Sequence, residues 1–216
     1  MFNSESSIPE FIVWTDIETT GLSPFNDHIL EVGAVISDMT GTQKGNSFSS
    51  VVNYDNFKEI LSCSNDRVKE MHSSNGLLEE IWMNKGEKIE DIDNSLYKWI
   101  NAITQNECGR DADECILYFG GRSITLDRNF LQLYCPKSYS LYSHKSMDMT
   151  GPTVMITRNN LLKDKNAYYR ADVTHRALQD SIDCLEQYKD IVTEMKNQKE
   201  KKWLIYWFKA LILYYK

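Results

Sequence analysis

The chain changes its hydrophobic rhythm partway along. Residues 11–17 (FIVWTDI) form a short apolar run rich in β-branched and aromatic side chains, the pattern of a buried strand. After turn signals at Gly21, Pro24 and Asn26–Asp27, residues 28–38 (HILEVGAVISD) read as its hairpin partner, and 47–53 as a third strand. From 57 to 107 apolar residues recur every three or four positions, which predicts helix. Residues 114–120 (ECILYFG) return to a buried strand, followed by a helix through ITLDRNFLQLY. A loop-rich middle leads to a last long helix from about Thr174 to Lys196. Strands first, helices later and one returning strand–helix unit predict an α/β fold, a mixed sheet flanked by helices.

Length and composition fit one folded domain. With 216 residues, 12% aromatics, ten glycines and four prolines, the chain is not of the disordered class, and we place one domain at 8–195. The formal charge of −7 argues against sequence-blind capture of long nucleic acid on a basic face. It leaves room for carboxylates gathered around metal ions. Five scattered cysteines without a Cys-x-x-Cys pair point to reduced thiols rather than zinc or a disulfide framework. With no signal-peptide pattern, this favours a cytoplasmic protein.

Three acidic segments carry the candidate chemistry. Asp16 and Glu18 stand two apart at the end of the first strand, so both carboxylates leave the same face. Two like charges there repel unless a cation lies between them. Asp127 lies early in the helix that follows Gly120-Gly121-Arg122-Ser123. His175 and Asp180, five apart, would be about 500° apart around a continuous helix. The pair can meet if His175 sits in the preceding loop or first turn while Asp180 projects from the helix body. Each segment alone has a blander reading: turn acids, a helix-dipole residue, a surface His beside a surface Asp.

The ordered set D-x-E-T-T-G-L, G-x-S-x-x-x-D and H-x₄-D resembles the three motifs of the DEDDh (DnaQ-like) exonuclease superfamily. Within it the chain is most similar to the oligoribonucleases, through ILEVGAVISD, H-S-S-N-G-L at 72–77, SITLDRNFL and HRALQDSIDCLEQY. The resemblance implies a ribonuclease H-like fold and two-metal 3′→5′ hydrolysis of short single-stranded RNA. It implies Mg²⁺ or Mn²⁺ held by Asp16, Glu18, Asp127 and Asp180, with His175 as the base. It also implies a homodimer. A single-stranded DNA or longer-RNA exonuclease, and a catalytically silent nucleic-acid-binding protein, are the alternatives.

The same resemblance suggests substrate contacts. Leu22 would meet the terminal base, and His72 and Ser123 match polar residues of a 5′-phosphate cap. Lys145 and Thr150 stand where the oligoribonucleases have Arg and Ser. Other positions depart: Arg67 replaces a Trp that wedges against a base, His144 a Tyr, and Arg122 an Asn. Arg67 and His144 could still stack on a base, more weakly.

The tail at 196–216 is Lys-rich and then apolar (WLIYWFKALILYY). As a helix its last part is about 21 Å long, too short to span a bilayer. The first expectation is packing on the body or a partner subunit. The second is an interfacial membrane anchor.

Overall fold

The computed structural model describes residues 8–83, 85–159 and 174–214, with side chains up to Asn197. Strands β1 (Glu10–Thr19), β2 (Ile29–Asp38) and β3 (Gln43–Val51) come first. Helices α1 (Phe57–Cys63), α2 (Asp66–Ser74), α3 (Leu77–Trp82) and α4 (Ile89–Cys108) follow. Then come β4 (Ile116–Gly121), α5 (Thr125–Tyr134), α6 (Pro136–Tyr139), β5 (Tyr142–Asp148), α7 (Thr150–Asn159) and α8 (Ala177–Tyr214). The sheet order is β3-β2-β1-β4-β5. β2 runs antiparallel to both β1 and β3, whereas β4 lies parallel to β1 and β5 parallel to β4.

The period-2 pattern of β1 splits its residues between two cores. Phe11, Val13 and Ile17 face a layer that includes Ile92, Leu96 and Ile100 of α4 and Phe130 and Leu131 of α5. Ile12 and Trp14 face the other side, against Cys184, Leu185, Tyr188 and Ile191 of α8. Fully burying one such side chain contributes roughly 1.5–3 kcal/mol, so the central strand is held from both faces. The Trp14 indole N–H, which could not be left bare in this core, donates to Ser37 Oγ at 2.9 Å.

The mixed sheet with flanking helices is as the sequence pattern predicts. Two strands differ from it. β3 starts at Gln43 rather than 47, and β5 occupies part of the expected loop-rich middle, where α7 follows it. Both are edge strands whose side chains are almost all exposed or half-buried, so they lack the apolar runs that mark a buried strand.

α8 runs as one helix from Ala177 through the Lys-rich stretch to Tyr214, well past the predicted end near Lys196. The packing expected of the tail lies outside the described residues, as do residues 160–173 of the predicted domain. Among the described residues no helix is long and apolar enough to cross a membrane.

Candidate active site

The site forms where β1 outruns its parallel neighbour. β4 pairs with β1 only from Glu10 to Trp14, so the last residues of β1 have no strand on that side. The Ile17 amide donates instead to Asp127 Oδ1 of α5, at 3.2 Å. That bond ties the helix-borne acid to the strand carrying Asp16 and Glu18. These two continue the Ile12–Trp14 face, the side covered by α8, and α8 supplies Asp180.

The turn before α5 is held from the opposite edge. Ser123 has a left-handed backbone, φ 55°, which is costly for a residue with a Cβ. Its amide donates to Thr150 Oγ1 at 2.8 Å and to Asp148 Oδ1 at 3.2 Å, and the Ser123 and Thr150 hydroxyls lie 3.2 Å apart. The end of β5 thus fixes the backbone that launches Asp127.

His175 is the second left-handed residue, φ 50°, and stands in the loop two residues before α8. This placement solves the five-residue spacing: His175 is not on the helix that carries Asp180. Asn75 Nδ2 donates to the His175 carbonyl at 2.5 Å. Arg176 forms a two-pronged pair with the almost fully buried Glu31 (2.9–3.2 Å) and bonds Glu80 on α3 at 3.0 Å. Glu31 also accepts the Ala177 amide, 3.0 Å away, which serves a buried N–H at the start of α8 that the helix itself cannot pair. Reading the sequence missed Glu31, Asn75, Glu80 and Arg176 as supports. The one local signal was an acid inside the apolar run ILEVG, since a buried carboxylate demands a partner.

Together these elements line a cleft of about 320 Å³ containing Asp16, Glu18, Arg122, Ser123, Asp127, His175, Asp180 and Asp183. Ligand atoms of Glu18, His175 and Asp180 lie within 4.8 Å of one another. The electrostatics are those of acids forced together. Burial first, then Asp127, Glu18 and Asp180, push the Asp16 carboxyl well above the usual range. Burial, with Asp180 and Glu31, raises Glu18 to about 8. Burial raises Asp127 to about 7, against the lowering effect of the Ile17 amide. Asp180 is raised as well, by burial, while His175 acts to lower it. Such a group can ionise fully only beside added positive charge. Its carboxylate oxygens suit hard divalent ions such as Mg²⁺ or Mn²⁺.

The expected substrate contacts fare differently. Ser123 lines the cleft and Thr150 bonds to it. His72 is fully buried, its Nε2 3.6 Å from Glu18 Oε2, and among the described residues neither ring nitrogen makes a hydrogen bond. It is enclosed behind Glu18. Leu22 is 82% exposed on the β1–β2 loop, and Arg67 is exposed on α2; neither lines the cleft. Lys145 and His144 lie exposed on edge strand β5, where His144 borders a separate depression with Arg128, Tyr139 and Ser146.

Comparison with known proteins agrees with this architecture. A protein-family model described as Exonuclease (RNase_T) matches residues 13–188. The oligoribonuclease of Haemophilus influenzae is 26% identical over 182 residues, covering 82% of this chain and 90% of that protein. That of Coxiella burnetii is 24% identical over 184 residues, covering 82% and 89%. Among solved structures, Schizosaccharomyces pombe Pop2p in its Mg²⁺- and Mn²⁺-bound form gives a TM-score of 0.58 at 15% identity, covering 85% of this chain and 82% of that one. Escherichia coli exonuclease I in complex with a dT13 oligonucleotide gives 0.57 at 13% identity, covering 88% of this chain. This chain spans only 42% of exonuclease I, and at such identities the likeness concerns the fold alone. With a family match that takes in most of its length, the chain belongs to the exonuclease (RNase_T) family.

Proposed function

We propose that the protein removes nucleoside 5′-monophosphates from the 3′ end of short RNA by two-metal-ion hydrolysis. The observation that carries this reading is the gathering of Asp16, Glu18, Asp127, His175 and Asp180 from β1, α5 and the start of α8 into one cleft. The relatives named oligoribonuclease supply the substrate class. Bound ions would supply positive charge to the attacking and leaving oxygens of the displacement.

The chain's own residues divide the remaining work. Asp16, Glu18, Asp127 and Asp180 would hold the ions with their carboxylate oxygens. A ring nitrogen of His175 would take the proton of the attacking water, a role suited to an imidazole at neutral pH. Ser123 and Thr150 would face the substrate phosphates. A homodimer belongs to the same proposal, since His144 stands where the oligoribonucleases have a Tyr supplied across the dimer interface.

A second reading, an exonuclease acting on single-stranded DNA or longer RNA, draws on Arg67 and His144, which stand in place of the aromatic wedge residues. Turnover of RNA and DNA of two, five and twenty nucleotides, with Mg²⁺ and with Mn²⁺, separates the two. Fastest cleavage of the shortest RNA is expected. Faster cleavage of the twenty-nucleotide strand would favour the second reading, and no hydrolysis of any substrate would dismiss both.

A further inference from the structure

We propose that Arg122 is a substrate-phosphate anchor, gripping a phosphate that the metal ions do not hold. The inference rests on the nuclease reading and adds a residue to it at a position where the chain departs from the oligoribonuclease pattern. Arg122 lines the cleft, and among the described residues that do so it is the one guanidinium, set among Asp16, Glu18, Asp127, Asp180 and Asp183. Its side chain is placed rather than loose. One N–H donates at 3.0 Å to the side-chain oxygen of Gln187, a residue of α8 only 3% exposed.

Among the described residues the Gln187 bond is the one hydrogen bond this side chain makes, which leaves the other donors of the planar fork to a ligand, and the residue itself is exposed. A cleft of carboxylates on a chain of net charge −7 repels a polyanion. A fixed cation at its rim offsets that repulsion, and a guanidinium matches two oxygens of one phosphate at once. Because the group sits at the rim, with the ions expected among the acids, its contact forms on binding and is kept through the chemical step. Its charge therefore counts in affinity and not in the turnover rate.

The test compares wild type, Arg122→Ala and Arg122→Lys. Binding of a fluorescently labelled five-nucleotide RNA is measured with Ca²⁺ replacing the catalytic ion, across a range of salt. Turnover with Mn²⁺ is measured at saturating substrate. Arg122→Ala should weaken binding about tenfold, the loss of one charge-assisted contact. It should also reduce the slope of log Kd against log salt by about 0.7, the share of one phosphate on a single strand, with kcat unchanged. Arg122→Lys should restore the slope and only part of the affinity, because charge survives and the fork does not. Equal Kd and slope in wild type and Arg122→Ala would overturn the proposal, as would a fall in kcat at unchanged Kd. A wild type that neither binds nor cleaves RNA would instead remove the short-RNA reading beneath it.

Discussion

Gly33 of β2 lies so close beneath α8 that a Cβ on it would stand 2.1 Å from the Leu178 amide nitrogen. Gly33 is also the β-ladder partner of Asp16, and its carbonyl accepts a 3.0 Å bond from Ser181 Oγ. The missing side chain therefore sets how near Asp180 comes to Asp16. Backbone cannot yield as a flexible side chain can, so Gly33→Ala should cost about 1–3 kcal/mol or more and lower turnover by displacing α8. Gly151→Ala is the control: its Cβ would meet nothing within 4 Å, and it should melt no lower than wild type. Thermal melts and kcat on both variants check this.

Asp16→Ala and Asp180→Ala should each abolish hydrolysis while leaving the fold intact. Each removes one member of a cluster in which the acids raise one another's pKa. Metal-free variants should melt at or above the wild-type temperature, because repulsion is relieved. His175→Ala should cost on the order of 10²–10⁴ in rate, the usual contribution of a general base. Full activity in any of the three would remove that residue from the chemistry.

Metal-free stability should fall as pH rises from about 4 to about 8. Glu18 goes from a reference value of 4.5 to about 8 on folding, and Asp127 from 3.8 to about 7. Within that window the folded state keeps protons that the unfolded state has released, so raising the pH favours unfolding. Divalent ions bind the ionised acids and should stabilise most at the alkaline end. Melts in chelator and in Mn²⁺ at pH 5 and pH 8 test the sign: a chelated protein more stable at pH 8 would contradict it.

Arg176 should act on catalysis through His175. Arg176→Ala would strand the buried Glu31 carboxylate, a loss of about 3 kcal/mol or more. The milder Arg176→Lys keeps charge but loses the fork that bridges Glu31 and Glu80. It should lower kcat and leave KM unchanged. In a His175→Ala background the same change should cost no further rate, because the group it positions is gone. Additive losses would mean that Arg176 supports the fold and not the base.

Cys108 and Cys115 lie with their sulfurs 3.7 Å apart, a pairing their scattered spacing in the sequence did not suggest. Hydrogen peroxide should join them, two thiols and one peroxide giving one disulfide and two waters. Titratable thiols in the unfolded protein would then fall from five to three. Burial and the neighbouring Cys108 push the Cys115 thiol up to about 12, so the reaction should quicken at alkaline pH. Cys115→Ser should abolish the pairing, and a count that stays at five in wild type would exclude it.

Much of the scaffold was legible because its signals are local. Short apolar runs marked β1, β2 and β4, and three- and four-residue spacing marked α4. β5 was not legible: as an edge strand it exposes His144 to Ser146 and carries no apolar run. The partners of the site residues were not legible either. Glu31 meets Arg176 across 145 positions and Ile17 meets Asp127 across 110, separations at which no sequence pattern operates.

By itself the sequence determined which residue types stand at the ends of which elements, because strand alternation and helix periodicity are properties of neighbouring residues. Asp16 and Glu18 had to share a face. Only the tertiary structure decided what those carboxylates meet. His175 reaches Asp180 by a left-handed turn pinned by Asn75, and β4 stops short so that Ile17 can bind Asp127. His72 is enclosed behind Glu18, while Arg122 is tethered at the rim. Such outcomes depend on distances between elements, and those are set by packing the two faces of one sheet at the same time.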